Sequence, residues 1–198
     1  MQTKIASRSN RDRTEETKAK LIAAARELFI ANGYAETSTP DIVKQAAVTR
    51  GALYHHYKDK SDLFRAVLED EARLVGQSIA EETRVPQSAL ENFTIGAEAY
   101  FDAMKIDGRA KLLLIEGPSV LGKVEMDRIN NLAGADEIRK GLQYAANHGA
   151  LAGVPIAPLA DMLSAAFDRA ALAIAEGADE EPYKKAVHGI FEGLLGAD

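Results

Sequence analysis

Apolar positions recur along this chain at the three- and four-residue spacing of helices, and nowhere at the alternating spacing of strands. The N-terminal run 1–13 is polar and basic and reads as a flexible arm. Thr14 suits an N-cap, with Glu15 and Glu16 where the helix dipole favours negative charge. Leu21, Ile22, Ala25, Leu28 and Phe29 continue the stripe, and Asn32-Gly33 supplies a stop. Ser38-Thr39-Pro40-Asp41 marks a second start: a hydroxyl cap, a proline whose missing N–H had no partner there, and an acid three residues on. The short helix behind it carries Ile42, Val43 and Ala46. Thr49 opens a third helix with Leu53, Tyr54 and Tyr57, and Ser61 a longer one with Leu63, Phe64, Val67, Leu68, Leu74 and Val75.

Helices are expected again over 86–104, over the short run 111–115 ended by Gly117-Pro118, and over 118–131 and 136–148. The last two have the clearest periodicity: Ile156, Leu159, Leu163, Ala166, Phe167, Ala170 and Ile174, then Tyr183, Val187, Ile190, Phe191 and Leu194. The fold class is all-α, with about nine helices. An N-terminal three-helix helix-turn-helix domain (14–60) leads through a connecting helix (61–82) to a larger C-terminal helical bundle (83–198).

Composition narrows the function. The 198 residues contain no cysteine, which removes disulfides, thiol catalysis and cysteine-based zinc sites, and suits a reducing compartment. No apolar run reaches the roughly 20 residues of a membrane helix, and 1–13 lacks a secretory core, so a cytoplasmic location is expected. Net charge is −6, but it is unevenly spread. Residues 1–60 hold 11 Lys+Arg against 7 Asp+Glu, a balance of +4, and 61–198 hold 13 against 23, a balance of −10. Only the first third is suited to a phosphate backbone.

That third contains two short helices and a tight turn. Seven- or eight-residue helices are marginal alone and need neighbours, here Leu28, Phe29, Leu63, Phe64 and Val67. A three-helix unit with a protruding third helix is the geometry of helix-turn-helix DNA binding. Thr49 and the adjacent amides can meet a phosphate, Arg50 a guanine edge and Ala52 a thymine methyl, while Gly51 admits the DNA backbone closely. Tyr54, His55, His56 and Lys60 add donors for phosphate oxygens or base edges.

These residues resemble the tetracycline-repressor-like (TetR-type) regulators. The resemblance runs through Ala24-Ala25-Arg26-Glu27-Leu28-Phe29, Asn32-Gly33-Tyr34 and Thr37-Ser38-Thr39-Pro40-Asp41-Ile42-Val43. It continues in Gly51-Ala52-Leu53-Tyr54-His55-His56-Tyr57 and Lys60-Ser61-Asp62-Leu63, and is dense over residues 14 to about 70. It implies DNA contacts at Ser38, Thr39, Thr49, Arg50, Gly51, Ala52, Tyr54, His55, His56 and Lys60, with Leu53 and Tyr57 as buried anchors. Two positions depart from the pattern. Ala47-Val48 stands where Gly-Val is frequent, so a slightly different turn is expected, and Tyr57 stands where Phe is usual.

Glu116-Gly117-Pro118-Ser119-Val120-Leu121-Gly122 looks like a stretch of the same family's regulatory domains. The resemblance implies a homodimer built by the last two helices. Leu163, Phe167, Ala170, Ile174, Tyr183, Val187, Ile190, Phe191 and Leu194 are its expected interface, and alanines such as Ala165, Ala166, Ala171, Ala173 and Ala175 would permit close approach. It also implies a small-molecule effector pocket, with Phe93, Tyr100, Met104, Leu114, Tyr144, Met162 and Phe167 as candidate lining. The implied function is a transcriptional regulator, by family default a repressor released by its effector from a palindromic operator; a ligand-independent regulator or an activator is the alternative. Neither a cofactor nor a metal is expected.

Enzyme chemistry is thinly represented. Gly117-Pro118-Ser119-Val120-Leu121-Gly122-Lys123 has the outline of a phosphate-binding loop, after a run, Leu112 to Ile115, that could pass for a strand. Against a nucleotide site, Val124 replaces the Mg²⁺-binding hydroxyl, Pro118 removes an N–H from the cradle, and no strand–helix alternation surrounds it. His55 and His56 are adjacent and so cannot form the i, i+4 pair of a helical zinc site.

Overall fold

The computed structural model describes residues 10–85 and 88–196, and they contain ten helices and no strand. Two compact units result, one up to Val67 and one from Leu68. The division falls inside a helix, seven residues beyond the boundary at 60 that the sequence suggests.

In the first unit, α1 (Asn10–Glu36) begins four residues before the expected cap at Thr14, with Asp12 in its first turn. Positions 10–13 therefore belong to a helix and not to the expected arm, whose remainder (1–9) lies outside the described residues. Asn-Arg-Asp-Arg contains neither Gly nor Pro, so nothing there opposes helix. Gly33, at φ 79°, interrupts α1 where the stop is expected. Leu21, Ala25 and Phe29 are fully buried, each large side chain contributing roughly 1.5–3 kcal/mol. The Phe29 ring meets Phe64 edge-on at 4.9 Å, and Tyr34 lies 4.9 Å from Phe64 on another side. Helix α2 (Thr39–Gln45) is capped by Ser38, whose Oγ accepts from the Asp41 N–H at 3.3 Å. Gln45 ties it to α1 by donating to Glu27 at 2.6 Å.

The turn after α2 is a Schellman motif: Ala47 N–H donates to Lys44 O (3.2 Å) and Val48 N–H to Val43 O (3.1 Å). Ala47 occupies its left-handed position at φ 53°. The expected change of turn does not occur; the usual geometry is kept with a Cβ in a region that disfavours one. Helix α3 (Arg50–His56) follows, then α4 (Lys60–Glu82). Asp59 caps α4, accepting from Asp62 N–H at 2.8 Å, in place of a start at Ser61.

In the second unit, α4 presents Leu68, Ala72 and Val75 to the core. Gly76 lets it pass the helix Lys123–Leu132 closely, since a Cβ there would collide with the Leu132 carbonyl oxygen. Helix α5 (Ala89–Met104) opens with a capping box between Ser88 and Glu91. The sequence suggests Pro86 as its start, a position outside the described residues. Segments Arg109–Lys111, Leu112–Glu116 and Gly117–Leu121 run on as one helix, α6, whose middle is a π turn. The expected break at Gly117-Pro118 is absent for a definable reason. The Gly117 N–H reaches back five residues to Leu112 O, and this widened turn accommodates a proline that offers no N–H and crowds the carbonyl four residues back. The break comes instead at Gly122 (φ 79°), before α7 (Lys123–Leu132), α8 (Ala135–Asn147), α9 (Ile156–Ala175) and α10 (Glu181–Leu195).

Helix α5 packs on α10, α9 and α8. A buried ion pair holds its C-terminal end to α4: Arg109 Nε donates to Glu71 at 2.7 Å and its Nη1 to Ala103 O at 2.7 Å. The periodic stripes of α9 and α10 close this core. Leu163, Phe167, Ala170, Ile174, Val187 and Phe191 are buried within the chain, Phe191 stacked on Phe93 at 4.4 Å. They are therefore not available as the expected interface, because an apolar stripe at helical spacing is satisfied first by its own core. Tyr183 and Leu194 are half-buried, and Ile190 is 42% exposed.

Candidate functional site

Helix α3 carries its candidate contact side chains outward, away from its buried anchors. Leu53 and Tyr57 are buried, as expected, and their packing holds a seven-residue helix that could not persist alone. Thr49 caps it, accepting from Ala52 N–H at 3.1 Å. Thr49, Arg50, Gly51, Tyr54 and His55 are exposed, while Ala52 and His56 are half-buried. Tyr54 Oη stands 3.3 Å from Thr39 Oγ1, bridging the start of α2 to the open side of α3. The Arg50 guanidinium lies 5.5 Å from the Tyr54 ring centroid. Hydrogen bonding to Thr39, then to Arg50, draws the Tyr54 hydroxyl below its ordinary pKa. Ser38 and Thr39 lie half-buried at the head of α2. Hydroxyls, a guanidinium and an imidazole thus share one outward surface, the donor set for phosphate and base edges.

Two expected contacts are placed differently. Lys60 Nζ donates to the carbonyls of Tyr34 (2.8 Å), Thr37 (2.9 Å) and Ala35 (3.3 Å) and sits 4.2 Å from the Tyr34 ring centroid. An ammonium has three protons; here all are committed to the end of α1, which leaves none for a phosphate. His56 is depressed below its ordinary pKa by burial first, then by His55 and Lys18, so in the free protein its imidazole favours the neutral form.

The second unit holds a cavity of about 580 Å³ bordered by α4, α5, α6, α7, α8 and α9, within the ~300–1,000 Å³ of small-molecule sites. Phe93, Tyr100, Met104, Leu114, Tyr144 and Phe167 line it, Tyr144 at a solvent-exposed edge. Met162 does not; it is 71% exposed, one residue off the buried stripe of α9. Polar members that periodicity passes over are Asn92, Ser164 and Asp168. Asp168 accepts from Tyr100 Oη at 2.6 Å. Burial raises the Asp168 carboxyl above its ordinary pKa, and burial and then the Asp168 charge raise the Tyr100 hydroxyl well above its own. The proton therefore stays on the phenol. The available signal was Ser164 and Asp168, one turn apart and flanking the stripe.

The residues with a phosphate-loop outline hold no phosphate cradle. Residues 112–121 are helical, and Lys123 Nζ is paired with Asp127 at 2.8 Å. No group of His, Asp and Glu suited to a metal occurs among the described residues, and no described helix is long and apolar enough to cross a membrane.

Residues 21–67 match the bacterial regulatory proteins of the tetR family, and residues 90–197 match a tetracyclin repressor-like C-terminal domain. The HTH-type transcriptional regulator AcrR of Shigella flexneri is 40% identical over 70 residues, 35% of this chain and 33% of that protein. The HTH-type transcriptional activator FasR of Mycolicibacterium smegmatis is 27% identical over 113 residues, 57% of this chain and 52% of its own. The matches thus span between a third and about half of these curated relatives' length. The crystal structure of a TetR-family transcriptional regulator from Pectobacterium atrosepticum aligns over 96% of this chain and 99% of that one, with a TM-score of 0.70 and 28% identity.

Proposed function

The chain belongs to the TetR family of DNA-binding regulatory proteins, and from that premise we propose that it is a dimeric repressor which an effector in the 580 Å³ cavity releases from its operator. The observation that carries the reading is the outward Arg50–Tyr54 face of a helix pinned beneath by Leu53 and Tyr57. Its first turn enters the major groove, where Arg50 reads a guanine edge.

One seven-residue helix reads few bases, so two copies read half-sites roughly 34–36 Å apart. The face available for pairing is not the buried stripe but its exposed neighbour: Met162, Ala165 and Ala166 on α9, with Gly189, Ile190 and Gly193 on α10. Small residues there permit close helix approach. Replacing both Met162 and Ile190 by Lys converts the dimer to monomer in sedimentation and abolishes operator binding; an unchanged dimer argues for another face.

Helix α4 supplies Ile79, Ala80 and Thr83 to the cavity and starts at Lys60. A ligand that favours a shifted α4 changes the spacing of the two α3 helices, to the extent that it binds that state more tightly. Selection of bound duplexes from a random pool tests the reading: a palindromic consensus supports it, and recovery of unrelated sequences contradicts it. Activation is the second reading, favoured by the relative named as an activator. A reporter with and without the regulator separates the two by its sign.

A further inference from the structure

We infer that the cavity selects an organic cation with an apolar body, its ammonium group held by the Asp168 carboxylate against Tyr100. The inference rests on reading this cavity as the effector site. Its walls are asymmetric in charge: among the described residues they include two acids, Asp168 and Glu137, and no Lys, Arg or His. Glu137 is already paired with Lys140 at 2.7 Å. Asp168 is half-buried, and among the described residues its hydrogen-bond partner is the Tyr100 hydroxyl. A carboxylate has about four acceptor sites, and a phenol fills one.

A carboxylate withdrawn from water is stable when paired, and the described residues that line the cavity bring no cation to it. An ammonium ligand supplies the missing charge. Tyr100, Phe93 and Phe167 border the same space with aromatic rings, which attract a cation where their faces are presented and accept apolar carbon in any case. An anionic ligand would meet a like charge with no basic residue to offset it. A neutral apolar ligand fits the walls but leaves Asp168 as it is. Burial already raises the Asp168 carboxyl, and an adjacent ammonium reverses that direction.

The test uses three probes with one body: 4-phenylbutylammonium, its neutral analogue with a methyl group in place of the ammonium, and 4-phenylbutyl sulfonate. Calorimetric titration of the full chain is expected to rank them cation, neutral, anion, the cation at least about tenfold tighter than the neutral probe, as for a charged contact made out of water. Asp168→Asn removes that preference while the neutral probe still binds, and Asp168→Glu, which keeps the charge, retains it. Helicity by circular dichroism confirms that each variant folds. Equal affinity of cation and neutral probe, or a preference that survives Asp168→Asn, overturns the inference and leaves the cavity as an effector site. Binding by none of the probes overturns the inference and counts against the effector reading as well.

Discussion

The Lys60 ammonium lies 4.2 Å from the Tyr34 ring centroid and donates to the Tyr34 carbonyl at 2.8 Å. Gly33 ends the main run of α1 just before Tyr34 and leaves carbonyls without helical partners. Lys60, from the first turn of α4, gathers three of them. The residue therefore joins the two helices that enclose α2 and α3.

From this it follows that Lys60→Ala lowers the stability of the first unit by about 1.5–3 kcal/mol, the range for hydrogen bonds to a charged donor. The slope of DNA affinity against salt is expected to stay unchanged, because no phosphate contact is removed. Urea unfolding and binding at several salt concentrations measure the two effects; a flatter slope at full stability would return Lys60 to the DNA.

Ala47 sits at φ 53° at the left-handed position of the α2 turn. A left-handed L-residue costs roughly 1–2 kcal/mol, and glycine gives back part of that in unfolded-chain entropy. Ala47→Gly is expected to stabilise the chain by about 0.5–1 kcal/mol without altering DNA specificity. A lower thermal midpoint would show that the turn is not strained.

Glu71 and Arg109 are buried together. Glu71→Ala strands a guanidinium in the core and is expected to cost about 3–5 kcal/mol. The double variant with Arg109→Met should recover much of that loss. Urea midpoints of the two variants decide it, and equal losses would mean that the pair is not coupled.

Acid sensitivity has a located source in His56. Its folded pKa lies below the ordinary 6.5 because burial and nearby positive groups disfavour the imidazolium. The folded state thus binds this proton less readily than the unfolded chain. The stability it contributes is present above 6.5 and is lost as pH falls through the lower folded value. His56→Gln should flatten thermal stability between about pH 8 and 5. NMR titration with a His56 midpoint above 6.5 would contradict the assignment.

Local chemistry was the most legible part of this sequence. Ser38 and Thr49 announce their helices because a cap is a contact between residues three apart, and Leu53 and Tyr57 declare themselves by helical spacing. What was not legible depends on distant partners. Lys60 reads as a free cation until the end of α1 is seen beside it, 26 residues away in sequence. Phe167 and Phe191 form stripes that one sequence cannot assign to a chain's own core or to a second copy. Pro118 reads as a helix breaker because the π turn that accommodates it has no side-chain signature. Asp168 is hidden by distance as Lys60 is: an acid beside an apolar stripe looks solvated until α5 brings Tyr100 to 2.6 Å.

The function proposed for this chain turns on whether the outward face of α3 reads base pairs. The decisive measurement is the affinity of wild type and Arg50→Ala for a selected duplex and its single-base variants across a salt series. If it does, affinity falls linearly in log salt, and Arg50→Ala brings a loss of about 1–3 kcal/mol confined to one base pair per half-site. Salt-insensitive binding, or a loss spread equally over every duplex, would contradict it.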